Sequence, residues 1–303
     1  MNVLIVGLGS IALKHINAIR LIDQSTTIYA LRSTANAKEE DCIINLYSFD
    51  DLNTINFDFA IISNPTSEHI KTINSLLKYK CPLFIEKPLS NSIEINDTIN
   101  EIKRLNLLTY IACNLRFMDS LRYIKKIINN DKKRINEINV YCGSFLPDWR
   151  PNKDYRNIYS TRNEMGGGVQ FDLIHEIDYV YWIFGKPQKV TNVSRSVSSL
   201  KIESNDYANY ILEYDEFCVG ITLNYYRRDY KRTMEILFSD CTWLVDLKKN
   251  QIFTDGIEIF NSSQQINDTY FEQMKYFWQL VQNGATSSIN PIEKAVEVLK
   301  IIL

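Results

Sequence analysis

Along the first 115 residues, continuous apolar runs alternate with segments whose apolar positions recur every three or four residues. The runs at 2–6, 27–31, 43–46, 58–62, 82–86 and 108–113 predict strands. The periodic segments predict helices at 10–22, after a cap at Thr66 or Ser67, and at 91–105 after a cap at Ser90 or Asn91. The second carries Ile70, Ile73, Leu76 and Leu77 on one face, and the third Ile93, Ile95, Ile99 and Ile102. Strands apolar on both faces, alternating with amphipathic helices, predict a doubly wound parallel sheet. Near residue 116 the pattern changes. A helix at 118–130 and a strand at 135–145 lead into a polar, aromatic connection at 146–165. Gly166-Gly167-Gly168 then opens a helix predicted to run to Phe184. Short alternating runs near 188–198, 206–214, 217–226, 232–239, 241–247 and 250–254 predict an open, mainly antiparallel sheet. Two helices, about 268–283 and 291–302, close the chain.

Length and composition narrow the class. The chain has 303 residues, enough for two domains. Its formal net charge is 34 − 36 = −2, which gives no long-range field to gather nucleic acid or an anionic membrane. No apolar stretch approaches the length of a membrane span. The six cysteines form no CxxC pair and no metal-ligand spacing, so they are expected to be reduced, mostly core residues in the cytoplasm. No metal is expected.

The run Val3-Leu4-Ile5-Val6-Gly7-Leu8-Gly9-Ser10-Ile11-Ala12 reads as strand, tight glycine turn and helix start. Gly7 allows the turn, and Gly9 lets the backbone approach a pyrophosphate. The amides from Ser10 and Ile11 onward supply the positive end of a helix dipole. At the start of a βαβ series this is the context of a dinucleotide-binding Rossmann fold. The second strand ends at Leu31-Arg32-Ser33, where an NAD site usually places a carboxylate. A guanidinium there suits a 2′-phosphate, so NADP(H) is expected in preference to NAD(H).

Two further motifs carry chemistry. Glu86-Lys87-Pro88 ends an apolar strand, and the proline biases Lys87 toward extended backbone at the carboxyl end of the sheet. In Gly166-Gly167-Gly168-Val169-Gln170-Phe171-Asp172-Leu173-Ile174-His175, Asp172 and His175 stand three apart, which on one helix places them on one face. Together with the glycine turn, these motifs resemble the glucose–fructose oxidoreductase / inositol dehydrogenase / MocA-type (Gfo/Idh/MocA) family over essentially the whole chain. The resemblance implies a Rossmann domain at 1–116 and a substrate-binding and oligomerisation α/β domain at 117–303. The helix at about 291–303 is free to pack back on the first domain. It further implies a dehydrogenase or reductase acting on CH–OH groups, and a homodimer or homotetramer built through the C-terminal sheet. Lys87, Asp172 and His175 match the family's catalytic residues. Asn64, Pro65, Glu86 and Lys87 match nicotinamide-side contacts, and Asn114 and Arg116 match a substrate-side segment. Many members separate the aspartate and histidine by four positions. A branch with three also has a run similar to Asp148-Trp149-Arg150-Pro151 and Asp154-Tyr155-Arg156, and is associated with bacterial surface-sugar biosynthesis.

The connection at 146–165 offers flat aromatic faces in Trp149 and Tyr155 and forked donors in Arg150 and Arg162. With Asp172 these are the expected substrate contacts, suited to a sugar, sugar acid or nucleotide sugar; an oligomer-interface arm is the alternative reading of the same connection. A second basic and aromatic run, Tyr225 to Arg232, could stack on nucleic-acid bases. Its place between two strands of an acidic chain favours a solvated turn or a subunit contact. Two alternatives stay open: a non-catalytic dinucleotide-binding sensor or regulator, and a lyase or hydrolase that retains its redox cofactor. The sequence leaves open the sugar, the redox direction and whether Lys87 or His175 donates the proton.

Overall fold

The apolar runs of the N-terminal half assemble into one sheet because each has apolar side chains for both faces. A computed structural model describes residues 1–33, 40–130 and 133–303. Its first part runs β1 (Asn2–Val6), α1 (Ser10–Ile22), β2 (Thr27–Leu31), β3 (Ile43–Leu46), β4 (Phe59–Ile62), α2 (His69–Leu76), β5 (Leu83–Ile85), α3 (Asn96–Arg104) and β6 (Thr109–Ile111). The strands pair in parallel in the order β3-β2-β1-β4-β5-β6. Val3, Leu4, Ile5 and all four residues of β4 are fully buried. The winding direction reverses between β1 and β4. That opens a crevice at their carboxyl ends, the usual ligand position in such sheets.

The second part contains α4 (Asp119–Asn130), β7 (Ile135–Phe145), α5 (Val169–Asp172), α6 (His175–Phe184), β8 (Lys189–Arg195), β9 (Tyr207–Glu213), β10 (Cys218–Asn224), β11 (Tyr226–Phe238), β12 (Thr242–Asp246), β13 (Gln251–Thr254) and β14 (Ile257–Asn261). These eight strands follow the order β14-β13-β12-β11-β7-β10-β9-β8. Only the β7–β10 pairing is parallel among those described. The α/β class expected from the sequence is therefore what is observed. The chain ends in α7 (Ile266–Gln282) and α8 (Ile292–Ile302).

Contacts divide the chain into two compact units. One comprises Met1–Asn114, Asn267–Ile301 and Leu303, and the other Leu115–Ile266 and Ile302. Both closing helices thus count with the first unit, where the sequence reading allowed this for the last helix alone. Aromatic packing accounts for it. Phe277 of α7 sits edge-on to Phe59 and Phe84 at 5.4 Å, and Gln273 accepts from the Tyr110 hydroxyl at 3.3 Å. Ile292, Ala295 and Val296 of α8 join the core on the sheet's other face, with Leu4, Ala60, Ile62, Leu83 and Ile85.

Four local expectations are corrected. The helix expected at 91–105 begins at Asn96, because the Ser90 and Ser92 hydroxyls accept from the amides of Ser92 and Glu94 and hold the segment in turns. Ile93 accordingly lies exposed rather than in the core. The single helix expected from the glycine run to Phe184 is two, since Leu173 leaves helical geometry at φ −99°, ψ 26°. The run from Tyr226 to Arg232 is the bulged start of β11 rather than a turn. Only Cys81, Cys113 and Cys142 are buried, while Cys42 and Cys218 are exposed and Cys241 is half-buried; all six are free thiols. No described helix is long and apolar enough to cross a membrane.

Candidate active site

The glycine turn forms as its spacing requires. Gly7 adopts φ +89°, and a Cβ there would stand 2.6 Å from the Asn64 backbone. The turn after β1 therefore packs directly on the loop after β4, and only glycine fits. A Cβ on Gly9 would meet nothing within 4 Å, so the start of α1 faces open space. No side chain caps that helix, and its first turn holds no acid. Unshielded amides and a positive dipole end are what a pyrophosphate needs. A cleft of about 440 Å³ adjoins this turn, with Gly7, Arg32, Ser33, Asn64 and Pro65 in its wall. Arg32 donates through Nη1 to Asn45 Oδ1 at 3.2 Å, and Asn64 donates through Nδ2 to Thr72 Oγ1 at 2.8 Å. The cleft fits a dinucleotide. Glu68, Lys71 and Thr72 of the same wall were not anticipated.

Glu86, Lys87 and Pro88 follow β5, with a cis bond between Lys87 and Pro88. Two buried histidines that the sequence reading left without a role hold this segment. His15, on α1, contacts Glu86 Oε1 through Nε2 at 2.5 Å, and the Lys87 amide donates to Glu86 Oε2 at 3.2 Å. Glu86 is 7% exposed and engaged on both oxygens, and it is absent from the wall of the nucleotide cleft. His69 opens α2. Its Nδ1 faces the carbonyl oxygens of Pro88 and Leu89 at 3.0 and 3.3 Å, and its Nε2 faces that of Asn64 at 2.9 Å. The ring thereby stands between the Asn64 loop and the Lys87 segment, and in its neutral form its single N–H donates to one of them. Burial holds its pKa below the usual histidine value, against the opposing pull of these carbonyls and of Glu86.

In the second unit Asp172 closes α5 and His175 opens α6. The fully buried Tyr225 donates its hydroxyl to Asp172 Oδ2 at 2.6 Å, and burial together with that carboxylate raises the phenol's pKa well above its ordinary value. Tyr225 also meets Trp149 edge-on at 5.4 Å, and Trp149 Nε1 donates to Ser144 Oγ at 3.1 Å. The structure therefore gathers Asp172, Tyr225 and Trp149 into one contact chain. Beside His175, Glu176 is buried against Arg232 at 3.0 Å; burial raises its carboxyl pKa, which Arg232 opposes.

Other expected substrate residues have internal partners. Arg116 is 1% exposed and grips Asp178 with Nε and Nη2 at 2.8 and 2.6 Å. Asn114 donates to Thr269 Oγ1 at 2.7 Å. Tyr155 donates to the Leu200 carbonyl at 3.1 Å, Arg162 lies 3.8 Å from Glu164, and Arg150 is exposed.

A parallel sheet of this order, with a glycine turn and an uncapped helix at its switch point, defines a Rossmann-type dinucleotide-binding protein. Residues 1–110 match the model of the oxidoreductase family with an NAD-binding Rossmann fold, and residues 121–243 match that of the GFO/IDH/MocA C-terminal domain. The chain belongs to the Gfo/Idh/MocA family of NAD(P)-dependent oxidoreductases. It is 22% identical to myo-inositol 2-dehydrogenase of Thermotoga maritima, over 96% of this chain and 91% of that protein. Its fold is similar to that of levoglucosan dehydrogenase in complex with NADH (TM-score 0.87, 13% identity, 100% and 95% of the two chains). It is also similar to that of scyllo-inositol dehydrogenase from Lactobacillus casei with NAD(H) and scyllo-inositol (TM-score 0.81, 22% identity, 100% and 94%).

Proposed function

We propose that this protein is an NADP(H)-preferring oxidoreductase that interconverts a carbinol and a ketone on a sugar, sugar acid or nucleotide sugar. The observation that carries the cofactor preference is Arg32. It stands at the end of β2 with Ser33, in the wall of the nucleotide cleft, where a 2′-phosphate would meet a guanidinium instead of a carboxylate. Gly7, Gly9, Ser10 and Ile11 would hold the pyrophosphate, and Asn64 and Pro65 would line the nicotinamide side. When bound, the nicotinamide supplies or accepts the hydride.

The chain's own residues handle the oxygen and its proton. Lys87, as an ammonium, stabilises negative charge that develops on the carbinol oxygen. Histidine's ordinary pKa of about 6.5 suits His175 to general acid–base work near neutrality. Asp172, held by Tyr225, positions a sugar hydroxyl or the histidine. Either Lys87 or His175 can donate the proton in the reductive direction. Relatives that are inositol and levoglucosan dehydrogenases support a polyol or sugar substrate. The Asp148–Pro151 and Asp154–Arg156 runs support a place in bacterial surface-sugar biosynthesis. Self-association through the eight-stranded sheet belongs to the same reading.

The test is binding of NADPH and NADH, followed by nicotinamide fluorescence, in wild type and Arg32→Ala. Wild type should favour NADPH, and the substitution should remove about tenfold or more of that affinity while sparing NADH. Equal binding of both nucleotides by both proteins would sink the NADP(H) preference. Tight NADPH binding without turnover across a sugar and polyol panel would favour a sensor instead.

A further inference from the structure

Strand alternation sorts the basic and aromatic run of β11 onto two sides. Lys231, Thr233 and Glu235 line one depression. Arg228, Tyr230 and Arg232 line a separate cavity of about 330 Å³, whose other walls include Ser144, Asp148 and Trp149. Leu173, between Asp172 and His175, also reaches it, so the cavity abuts the segment assigned above to catalysis.

The groups facing this cavity are chemically divided. Trp149, fixed by its bond to Ser144, and Tyr230 present partly exposed rings. Arg232 is paired with Glu176 at 3.0 Å and further engaged through Nε with Cys142 Sγ at 3.4 Å, so it forms a back wall whose guanidinium already has partners. Arg228 is different. Its guanidinium lies 4.2 Å over the Phe145 ring, and no described carboxylate pairs with it. Asp148, at the rim, accepts hydrogen bonds but donates none when ionised. We propose that this cavity binds a polyhydroxylated ligand bearing an oxyanion, either carboxylate or phosphate. Arg228 meets the anion, Asp148 accepts from hydroxyls, and the two rings cover the C–H face. This deepens the carbohydrate reading, on which it rests, by making the substrate acidic.

The test measures binding without turnover. D-glucuronate, D-glucose 6-phosphate and D-glucose are titrated against the full-length protein by ligand-observed NMR, using wild type, Arg228→Ala, Arg228→Lys and Arg227→Ala. Arg227 pairs with Asp229 and lies over Tyr141, away from this cavity, and serves as the control. Wild type and Arg227→Ala should bind at least one anionic probe about tenfold more tightly than D-glucose. Arg228→Ala should erase that margin, and Arg228→Lys should restore part of it. The probe that shows the margin tells carboxylate from phosphate. Equal affinity for all three, no binding of either anion, or a margin that survives Arg228→Ala would overturn the site. Oxidation of neutral sugars without anionic preference would overturn the site and leave the oxidoreductase reading intact. An Arg228-dependent margin in a protein that oxidises no carbohydrate would support the site and sink that reading.

Discussion

The two units prepare their chemistry in different ways. In the first, the proposed recognition rests on the main chain: a glycine at positive φ, an uncapped helix start, and a lysine segment whose carbonyls face His69. In the second, buried ion pairs, Arg116 on Asp178 and Arg232 on Glu176, fix the framework that carries the proposed substrate side chains. The difference suits the ligands. A dinucleotide is a constant partner that rigid backbone can meet, and pyrophosphate needs only amides and a dipole. A substrate varies between relatives, and side chains can change without refolding the sheet.

The comparison is tested most severely at Lys87, a side chain set on main-chain scaffolding. Lys87→Ala should lower turnover by about 10²–10⁴-fold, the range for losing a charge-stabilising or acid–base group. NADPH affinity and the thermal midpoint should stay near wild type, because the scaffold is untouched. Unchanged turnover would remove Lys87 from the chemistry. Lost nucleotide binding would mean that the side chain is part of the cradle itself.

His69 tests the scaffold. A neutral imidazole carries one N–H, so His69 donates either to the Asn64 carbonyl or to those of Pro88 and Leu89; His69→Asn removes that bond and the ring's packing and should cost about 1–3 kcal/mol of stability. A pH dependence accompanies it. Because burial depresses the folded pKa, the unfolded chain binds the proton more readily. The stabilising contribution is therefore complete above the unfolded value of about 6.5 and is lost as pH falls from there toward the folded pKa. Urea midpoints at pH 7.5 and 5.5 should bring wild type and His69→Asn closer together at the lower pH. A gap of constant size would contradict a buried histidine that folding keeps neutral.

The same contrast explains what could be read from the residues alone. The glycine turn, and Arg32 and Lys87 as candidates, can be read from the residues because such sites depend on glycine, on proline and on position after a strand. His15 and His69 were equally visible as letters, but their partners lie 71 and 19 positions away, and helical spacing carries no trace of them. β14 could have been found. Asp255-Gly256, with φ of 49° and 78°, is a hairpin turn with a recognisable dipeptide. The break at Leu173 had no such marker, since nothing in Phe171-Asp172-Leu173-Ile174 disfavours a continuous helix. The cavity beside Arg228 required knowing that β11 starts at Tyr226, and the run's turn-like polarity hid that.

The smallest expected effect falls on the second unit and asks whether its side chains act alone. Tyr225→Phe removes one hydrogen bond to Asp172 while keeping the ring against Trp149. A bond to a charged acceptor contributes about 1.5–3 kcal/mol, and Asp172 keeps its other interactions, so kcat/KM should fall by roughly tenfold. The phenol's raised pKa keeps it a donor across the working range, so the deficit should be the same from pH 6 to pH 9. NADPH affinity should not move, because Gly7, Gly9, Arg32 and Asn64 all belong to the first unit. If NADPH affinity fell together with kcat/KM, substrate-side positioning and the nucleotide cradle would be energetically coupled, and the division between a main-chain site and a side-chain site would hold for structure but not for function.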